Sequence, residues 1–182
     1  MTNSGIQKLI LRIQVDEDIT AFNQIYELYV VKLLGFAYSF LDDKEPAEEI
    51  VNDVFLKIWT GRKNLDSIKN LQVYMYVSVK NACLNHLRSL SSKKNNELRL
   101  TEAYYFHLSV DPAQLLISKE LSTDVLKAVN ELPARCKLIF RMVKEDDLSC
   151  NEVATILGIS NKTVFAQLSI ALKRLDQVLR KK

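Results

Sequence analysis

The stretch SCNEVATILGISNKTVFAQLSIALKRL, residues 149–175, decides the fold of the second half of this chain. Ser149 followed three residues later by Glu152 is a capping-box pattern, each side chain answering a backbone N–H that the first helical turn leaves unpaired. Gly158 stands where a helix needs a left-handed residue to stop, and Ser160 is placed to cap the next helix. The spacing therefore predicts a short helix over 150–157, a tight glycine turn and a longer basic helix over 161–180, the helix-turn-helix arrangement. Val153, Ala154, Leu157 and Ile159 can pack against Val164, Leu168, Ala171 and Leu175, which fall in one narrow arc at about 100° per residue. That packing turns Lys162, Ala166, Ser169 and Lys173 outward, with Thr163, Phe165 and Ile170 on the flanks. An outward face of small, hydroxyl and basic side chains suits a DNA major groove, where short polar and apolar groups read base edges and lysine neutralises phosphate. A plain helical hairpin with a solvated face is the alternative.

Upstream, Pro133 opens a helix over 134–145, and a further helix is expected over 113–130. In the first half, Phe22, Ile25, Tyr26, Tyr29, Leu33, Phe36, Ala37 and Phe40 recur at helical spacing, predicting one long amphipathic helix from Asp18 to Leu41. A second helix comes after Asp42 and Asp43, tolerates Pro46 in its first turn, repeats Ala47, Ile50, Val51, Val54, Phe55 and Ile58 on one face, and ends at Gly61. The polar segment 62–70 reads as a loop and 71–90 as a third helix. Polar, small residues then dilute the apolar pattern until Asp111-Pro112. The expectation is an all-α protein of two small helical domains, 1–90 and 113–182, joined by a linker over 91–112. Tyr104, Tyr105 and Phe106 are the linker's one apolar cluster, of the kind that docks on another surface.

Composition agrees. With 182 residues, 48% hydrophobic, and 25 Lys+Arg against 22 Asp+Glu, the chain can form a core and is too balanced for disorder. Only 4 Gly and 3 Pro leave little for a turn-rich sheet protein. The first residues, MTNSGIQKLILRIQVDED, have their apolar stretch cut by Arg12 and lack a small-residue cleavage site, and no run nears the roughly 20 apolar residues of a membrane span. A cytoplasmic protein is expected. Cys83, Cys136 and Cys150 match no paired ligand motif and read as buried thiols. Cys83 and His86 share a helix face, but a metal site needs two more placed ligands, so no metal and no cofactor is expected.

Charge is segregated more than its +3 total suggests. Residues 42–53 hold Asp42, Asp43, Glu45, Glu48, Glu49 and Asp53 against Lys44. Lys80, Arg88, Lys93, Lys94 and Arg99 face only Glu97 over 80–99, and six basic residues face only Asp176 over 161–182. Two basic zones imply two sites for a polyanion, and the acidic zone a separate basic partner; solvated helix faces are the alternative for each. Glu49, Asn52, Asp53 and Leu56 lie together opposite the second helix's apolar stripe, an apolar anchor with an acidic rim.

Together these residues resemble the extracytoplasmic-function group of sigma-70-type sigma factors, the subunits that direct bacterial RNA polymerase to promoters. EPAEEIVNDVFLKIW (45–59) resembles the group's polymerase-binding helix and VYMYVSVKNACLNHLR (73–88) its promoter-melting and minus-ten helix. Residues 22–41 look like its first conserved helix, and LPARCKLIF (132–140) through LSCNEVATILGISNKTV (148–164) like its second domain. The resemblance implies that Asn52 and Asp53, within the patch of Glu49 and Leu56, contact a coiled coil of the polymerase β′ clamp. It implies minus-ten contacts from Lys80, Asn81, Asn85 and Arg88, a flipped base held by the 62–70 loop, and minus-thirty-five contacts from Lys162, Thr163, Phe165, Ala166, Ser169 and Lys173. The group commonly has Lys or Arg at the positions of Phe165, Gln167 and Ile170, and this chain has none there, so its minus-thirty-five contacts are expected to be weak or differently specified. Phe165 is open to two readings, a thymine methyl contact or a hydrophobic contact with polymerase or an inhibitor.

Core RNA polymerase and promoter DNA are thus the expected partners, with an anti-sigma protein a further candidate because most of the resembled group are held by one. No small-molecule substrate and no catalysed reaction are expected, since no phosphate-cradling glycine loop or placed His, Cys and carboxylate set occurs. The competing reading is a helix-turn-helix regulator that binds an operator as a dimer without polymerase; it leaves the Asn52 and Asp53 patch unexplained.

Overall fold

A computed structural model describes residues 3–41, 43–92 and 128–179; the expected linker and most of the expected 113–130 helix lie outside them. The described residues form α1 (Asn3–Asp16), α2 (Ile19–Tyr38), α3 (Lys44–Thr60), a short 3₁₀ segment (Arg62–Ser67), α4 (Leu71–Ser92), α5 (Ala134–Lys144), α6 (Cys150–Leu157) and α7 (Asn161–Leu179). No strand occurs among them. No single helix among them is long and apolar enough to cross a membrane.

The expected long helix begins one residue later, because Asp18 is its cap rather than its first member. The Asp18 carboxylate accepts the Ala21 N–H at 3.0 Å and is clamped by Arg12 at 2.6 and 3.0 Å. The Ala21 N–H, then the Arg12 guanidinium, hold its carboxyl below the usual range. Helix α1 was not among the expected elements. Ile6, Leu9, Ile10 and Ile13 repeat at helical spacing, and three of them enter the core against α2 and the 3₁₀ segment. Helix α3 starts at the Asp43 cap. It ends at Gly61 with φ −88°, so the glycine is not there for a left-handed turn. A side chain there would instead bring Cβ to 3.0 Å from the Lys57 carbonyl oxygen.

The predicted stripe of α3 is buried through Ala47, Val51, Val54, Phe55 and Ile58, with Ile50 partly covered. In α2 the buried members are Ala21, Ile25, Tyr29, Leu33, Phe36 and Ala37. Phe22 and Tyr26 are half-buried, stacked in an aromatic group with Phe55 and Trp59 at ring separations of 4.6–6.3 Å. Helix α4 adds Met75, Tyr76, Val79 and Cys83, with the Tyr76 ring edge-on to Phe36 at 4.9 Å.

The two halves meet, which the linker reading did not provide for. Ile139, Met142, Leu148, Val153, Ile156 and Val164 belong to the same continuous core as α1–α4. The bridge is α6 against α4. A second, smaller cluster of Ala128, Val129, Leu132, Cys136, Ala171 and Leu175 holds α7 on α5.

Two positions of similar chemistry separate burial from exposure. Ile25→Ala, in a fully enclosed site, should lower unfolding free energy by about 2–5 kcal/mol. Leu11→Ala, at 61% exposure on α1, should stay within about 0.5 kcal/mol in the same urea titration.

Candidate functional site

Helix α6 is assembled as its sequence dictates. The Ser149 hydroxyl accepts the Glu152 N–H at 3.3 Å, and Glu152 Oε2 accepts the Ser149 N–H at 2.8 Å, completing the capping box. Gly158 closes the helix at φ 68°, ψ 37°, with its N–H donating to the Ala154 carbonyl. Ser160 caps α7 by accepting the Thr163 N–H at 3.1 Å. These three devices define the local turn between α6 and α7. Val153, Ala154, Val164, Ala171 and Leu175 are buried as expected, while Leu157, Ile159 and Leu168 are only partly covered.

The outward face of α7 is as predicted, with Lys162, Ala166, Ser169 and Lys173 exposed, and Phe165, placed on the flank, is exposed as well at 56%. Thr163 departs from that group. It is half-buried, and its hydroxyl lies 2.8 Å from Ser160 Oγ, so it serves the cap. Gln167 also turns away from solvent: its Oε1 accepts the Cys136 thiol at 3.0 Å. A basic residue at position 167 would therefore not face the same way as Lys162 and Lys173. Ile170 is 41% exposed, and with Phe165 it leaves two apolar side chains at the edge of this face.

On α3 the four expected residues Glu49, Asn52, Asp53 and Leu56 stand on the outward side, and Leu56 is 59% exposed. Core packing of the opposite face leaves them to solvent. Tyr26 donates weakly to Asn52 Oδ1 at 3.5 Å, and Lys44 pairs with Glu48 at 3.4 Å at the edge. Asp42 of the acidic zone lies outside the described residues.

Helix α4 carries the third face. Asn81 is exposed, and beside it Arg88 Nη1 donates to Asn85 Oδ1 at 2.8 Å on the surface of the helix. Lys80 is half-buried, and burial lowers its ammonium from the ordinary value. Residues 93–99 of this basic zone, and 180–182 of the last one, lie outside the described residues.

The 62–70 segment is more ordered than a simple loop. Arg62 lies over the Trp59 ring at 4.8 Å, donates to the Trp59 carbonyl at 3.0 Å and pairs with Glu17 at 2.7 Å. It is a strut. Lys63, Asn64, Asp66 and Lys69 remain exposed along the segment.

Of the three thiols, Cys83 and Cys136 are buried but Cys150, at the start of α6, is half-exposed, which corrects the expectation for it. Burial pushes the Cys83 thiol up to about 12, fitting a core role.

Sequence reasoning missed one further cluster, formed between elements. Asn70 Nδ2 donates to Glu152 Oε1 at 2.7 Å and Gln72 Nε2 to the Asp146 carbonyl at 2.7 Å. The Asp146 side chain is buried there, facing the Tyr76 hydroxyl. Burial raises Asp146 to about 6. No local signal announces this, since the partners are 74 and 82 residues apart.

Comparison with known proteins agrees with this geometry. The model of Sigma-70 region 2 matches residues 25–93 and that of Sigma-70 region 4 matches residues 122–175. The RNA polymerase sigma-H factor of Pseudomonas aeruginosa is 22% identical over 98% of this chain and 96% of its own length. The ECF RNA polymerase sigma factor SigW of Bacillus subtilis is 24% identical over 91% of each. Among solved structures, the sigma factor RpoE of Bartonella quintana, in complex with the anti-sigma factor NepR, superposes with a TM-score of 0.55. That match has 22% identity and covers 89% of this chain and 98% of that one. CnrH, in complex with the cytosolic domain of CnrY, gives 0.55 at 17% identity over 98% and 99%.

The glycine turn provides a direct check on the helix-turn-helix. Gly158→Val places a β-branched residue at φ 68° and should cost about 1–2 kcal/mol by urea denaturation, whereas Gly158→Asn should recover most of that loss.

Proposed function

The chain belongs to the extracytoplasmic-function group of the sigma-70 family, and on that footing we propose that it binds core RNA polymerase and directs transcription initiation at promoters carrying two DNA elements. The observation that carries this reading is the exposure of separate chemical faces in the family's order: an acidic, leucine-anchored face on α3, an amide and arginine face on α4, and a polar, lysine-bearing face on α7. A dimeric operator-binding regulator uses only the last of these and leaves the region 2 match without a role.

In this reading Glu49, Asn52, Asp53 and Leu56 dock on the β′ clamp coiled coil. Leu56 supplies desolvated apolar area and the carboxylates select a basic partner. Lys80, Asn81, Asn85 and Arg88 meet the minus-ten element, where amides hydrogen-bond bases and cations hold the phosphates. The exposed polar groups of 63–69 hold a base extruded from the opening strand, which favours melting without ATP. Lys162, Ala166, Ser169 and Lys173 face the minus-thirty-five groove, and Thr163 acts there through the cap. Phe165 offers the apolar contact that the missing basic residues do not. The 1–90, 91–112 and 113–182 division is the domain plan, with the second segment connecting the two DNA-binding domains. The protein would act as a subunit and catalyse no reaction, in the cytoplasm beside its polymerase. An anti-sigma protein is proposed as a further partner, because RpoE of Bartonella quintana matches this fold in complex with one.

Asp53 is exposed, so Asp53→Arg should leave the urea midpoint essentially unchanged while weakening binding to bacterial core RNA polymerase by about 30-fold or more. Co-purification and transcription from a promoter library are the measurements. Wild-type affinity in that variant would refute the assignment of α3.

A further inference from the structure

The corner between α1 and α2 is braced against the segment that follows α3. Glu17, the residue after α1, has φ 49°, a left-handed conformation that glycine or asparagine adopts more readily than glutamate. Nothing in the turn itself calls for a carboxylate there. The side chain is used elsewhere: its Oε1 lies 2.7 Å from Arg62 Nη2, at the far end of α3. Next to Glu17, Asp18 caps α2 and is clamped by Arg12 at 2.6 and 3.0 Å, so the corner is fixed from both of its helices.

Arg62 is committed to the protein rather than to solvent. Its guanidinium carbon stands 4.8 Å from the centre of the Trp59 ring, and Nη1 donates at 3.0 Å to the Trp59 carbonyl at the end of α3. Trp59 is held in turn by Phe22 of α2, with ring centres 5.1 Å apart. The Arg62 side chain is only 19% exposed, yet it opens a segment in which Lys63, Asn64, Asp66, Ser67 and Lys69 are all exposed. Beyond it, Gln14 of α1 donates at 3.5 Å to the Lys63 carbonyl, and Leu65 is buried in the core. The segment is thus pinned along its inner side by α1, the corner and α3, while its polar side chains remain outside. A segment fixed in this way loses little conformational entropy when it takes up a base, whereas a slack one would lose much.

We propose that Glu17 and Arg62 are positioning residues for promoter melting: their ion pair seats Arg62 on Trp59 and holds the 63–69 segment in the conformation that receives the unpaired base. The inference rests on the sigma-factor reading and on the base-holding role of 63–69 within it. Neither residue touches DNA. Arg62 must stack and fork its hydrogen bonds at once, which a planar guanidinium does and a lysine ammonium does not. A phosphate contact by Arg62 would make the opposite demands. Lysine would then serve in its place, and removing the Glu17 charge would strengthen DNA binding.

The test uses the full chain with bacterial core RNA polymerase on a promoter at which wild type initiates. That promoter is supplied both as intact duplex and with its minus-ten region premelted by mismatches. A mismatched base is extruded at little cost, so the second template bypasses the step in question. Open-complex formation is followed by permanganate reactivity of unpaired thymines. Glu17→Gln and Arg62→Lys should each slow it about tenfold on duplex and about twofold or less on the premelted template, with affinity for core polymerase unchanged. The double variant should be no slower than Arg62→Lys alone, because both changes remove one interaction. Glu17→Gly deletes the carboxylate and relieves the left-handed backbone, so its urea midpoint should equal or exceed that of wild type while melting stays slow. Equal losses on both templates, faster melting in Glu17→Gln, or a wild-type duplex rate in Glu17→Gly would overturn the assignment. A wild type that initiates at no promoter would refute the sigma-factor reading and the positioning role with it; an active wild type with unaffected variants refutes only the positioning role.

Discussion

An eight-residue helix cannot hold itself together in water, and α6 is that helix. Its caps satisfy the backbone at both ends, yet they add too little to fix it in space. Its stability has to come from burial on more than one side. Val153, Ala154 and Ile156 are all buried in one core with residues of α4 and with Val164 of α7, and α6 packs on both of those helices. The orientation of α7, and hence of its groove-facing side chains, depends on where α6 is seated. So does the proximity of the two halves of the chain.

The same logic distributes the charge. Each of α3, α4 and α7 gives one stripe to the interior, and its polar remainder is exposed by default. Asn52 and Asp53 are at the surface because Val51, Val54 and Phe55 are not. What is particular to this molecule is the spacing of those exposed faces by chemistry: carboxylates on one helix, amides with an arginine on the next, lysines and small groups on the last. Such an arrangement suits a subunit that touches protein on one side and DNA on others. The aromatic group of Phe22, Tyr26, Phe55 and Trp59 stiffens the junction beneath the first of these faces, with Arg62 stacked on its rim.

Much of this was legible in the primary structure because it is local. The Ser149 and Glu152 capping box, the Gly158 stop, the Ser160 cap and the apolar stripes of α2 and α3 are written within one or two helical turns, and helical periodicity reads them out. The exposure of Leu56 and of Lys162, Ala166, Ser169 and Lys173 comes from the same arithmetic. Thr163 and Gln167 escaped it for a physical reason. Both sit near the boundary between faces, where the choice between solvent and interior falls to a neighbour, Ser160 for one and Cys136 for the other.

For α2 to α7 the sequence by itself determined which segments are helical, where most of them stop, and which side of each is wet, since those are properties of short-range hydrogen bonding and of a 3.6-residue period; α1 and the 3₁₀ segment were not read from it. Only the tertiary structure decided that α1 joins the core, that Gly61 serves close approach and not a left-handed turn, and that Asn70, Gln72 and Tyr76 meet Glu152 and Asp146. The last of these depends on which surfaces meet across 70 or more residues of chain; the seating of α1 on α2 and the approach of Gly61 to the Lys57 carbonyl are settled nearer along the chain, by packing and backbone path. No local pattern encodes the contacts of Asn70, Gln72 and Tyr76, because the energy deciding them is the burial shared between surfaces that are remote in sequence.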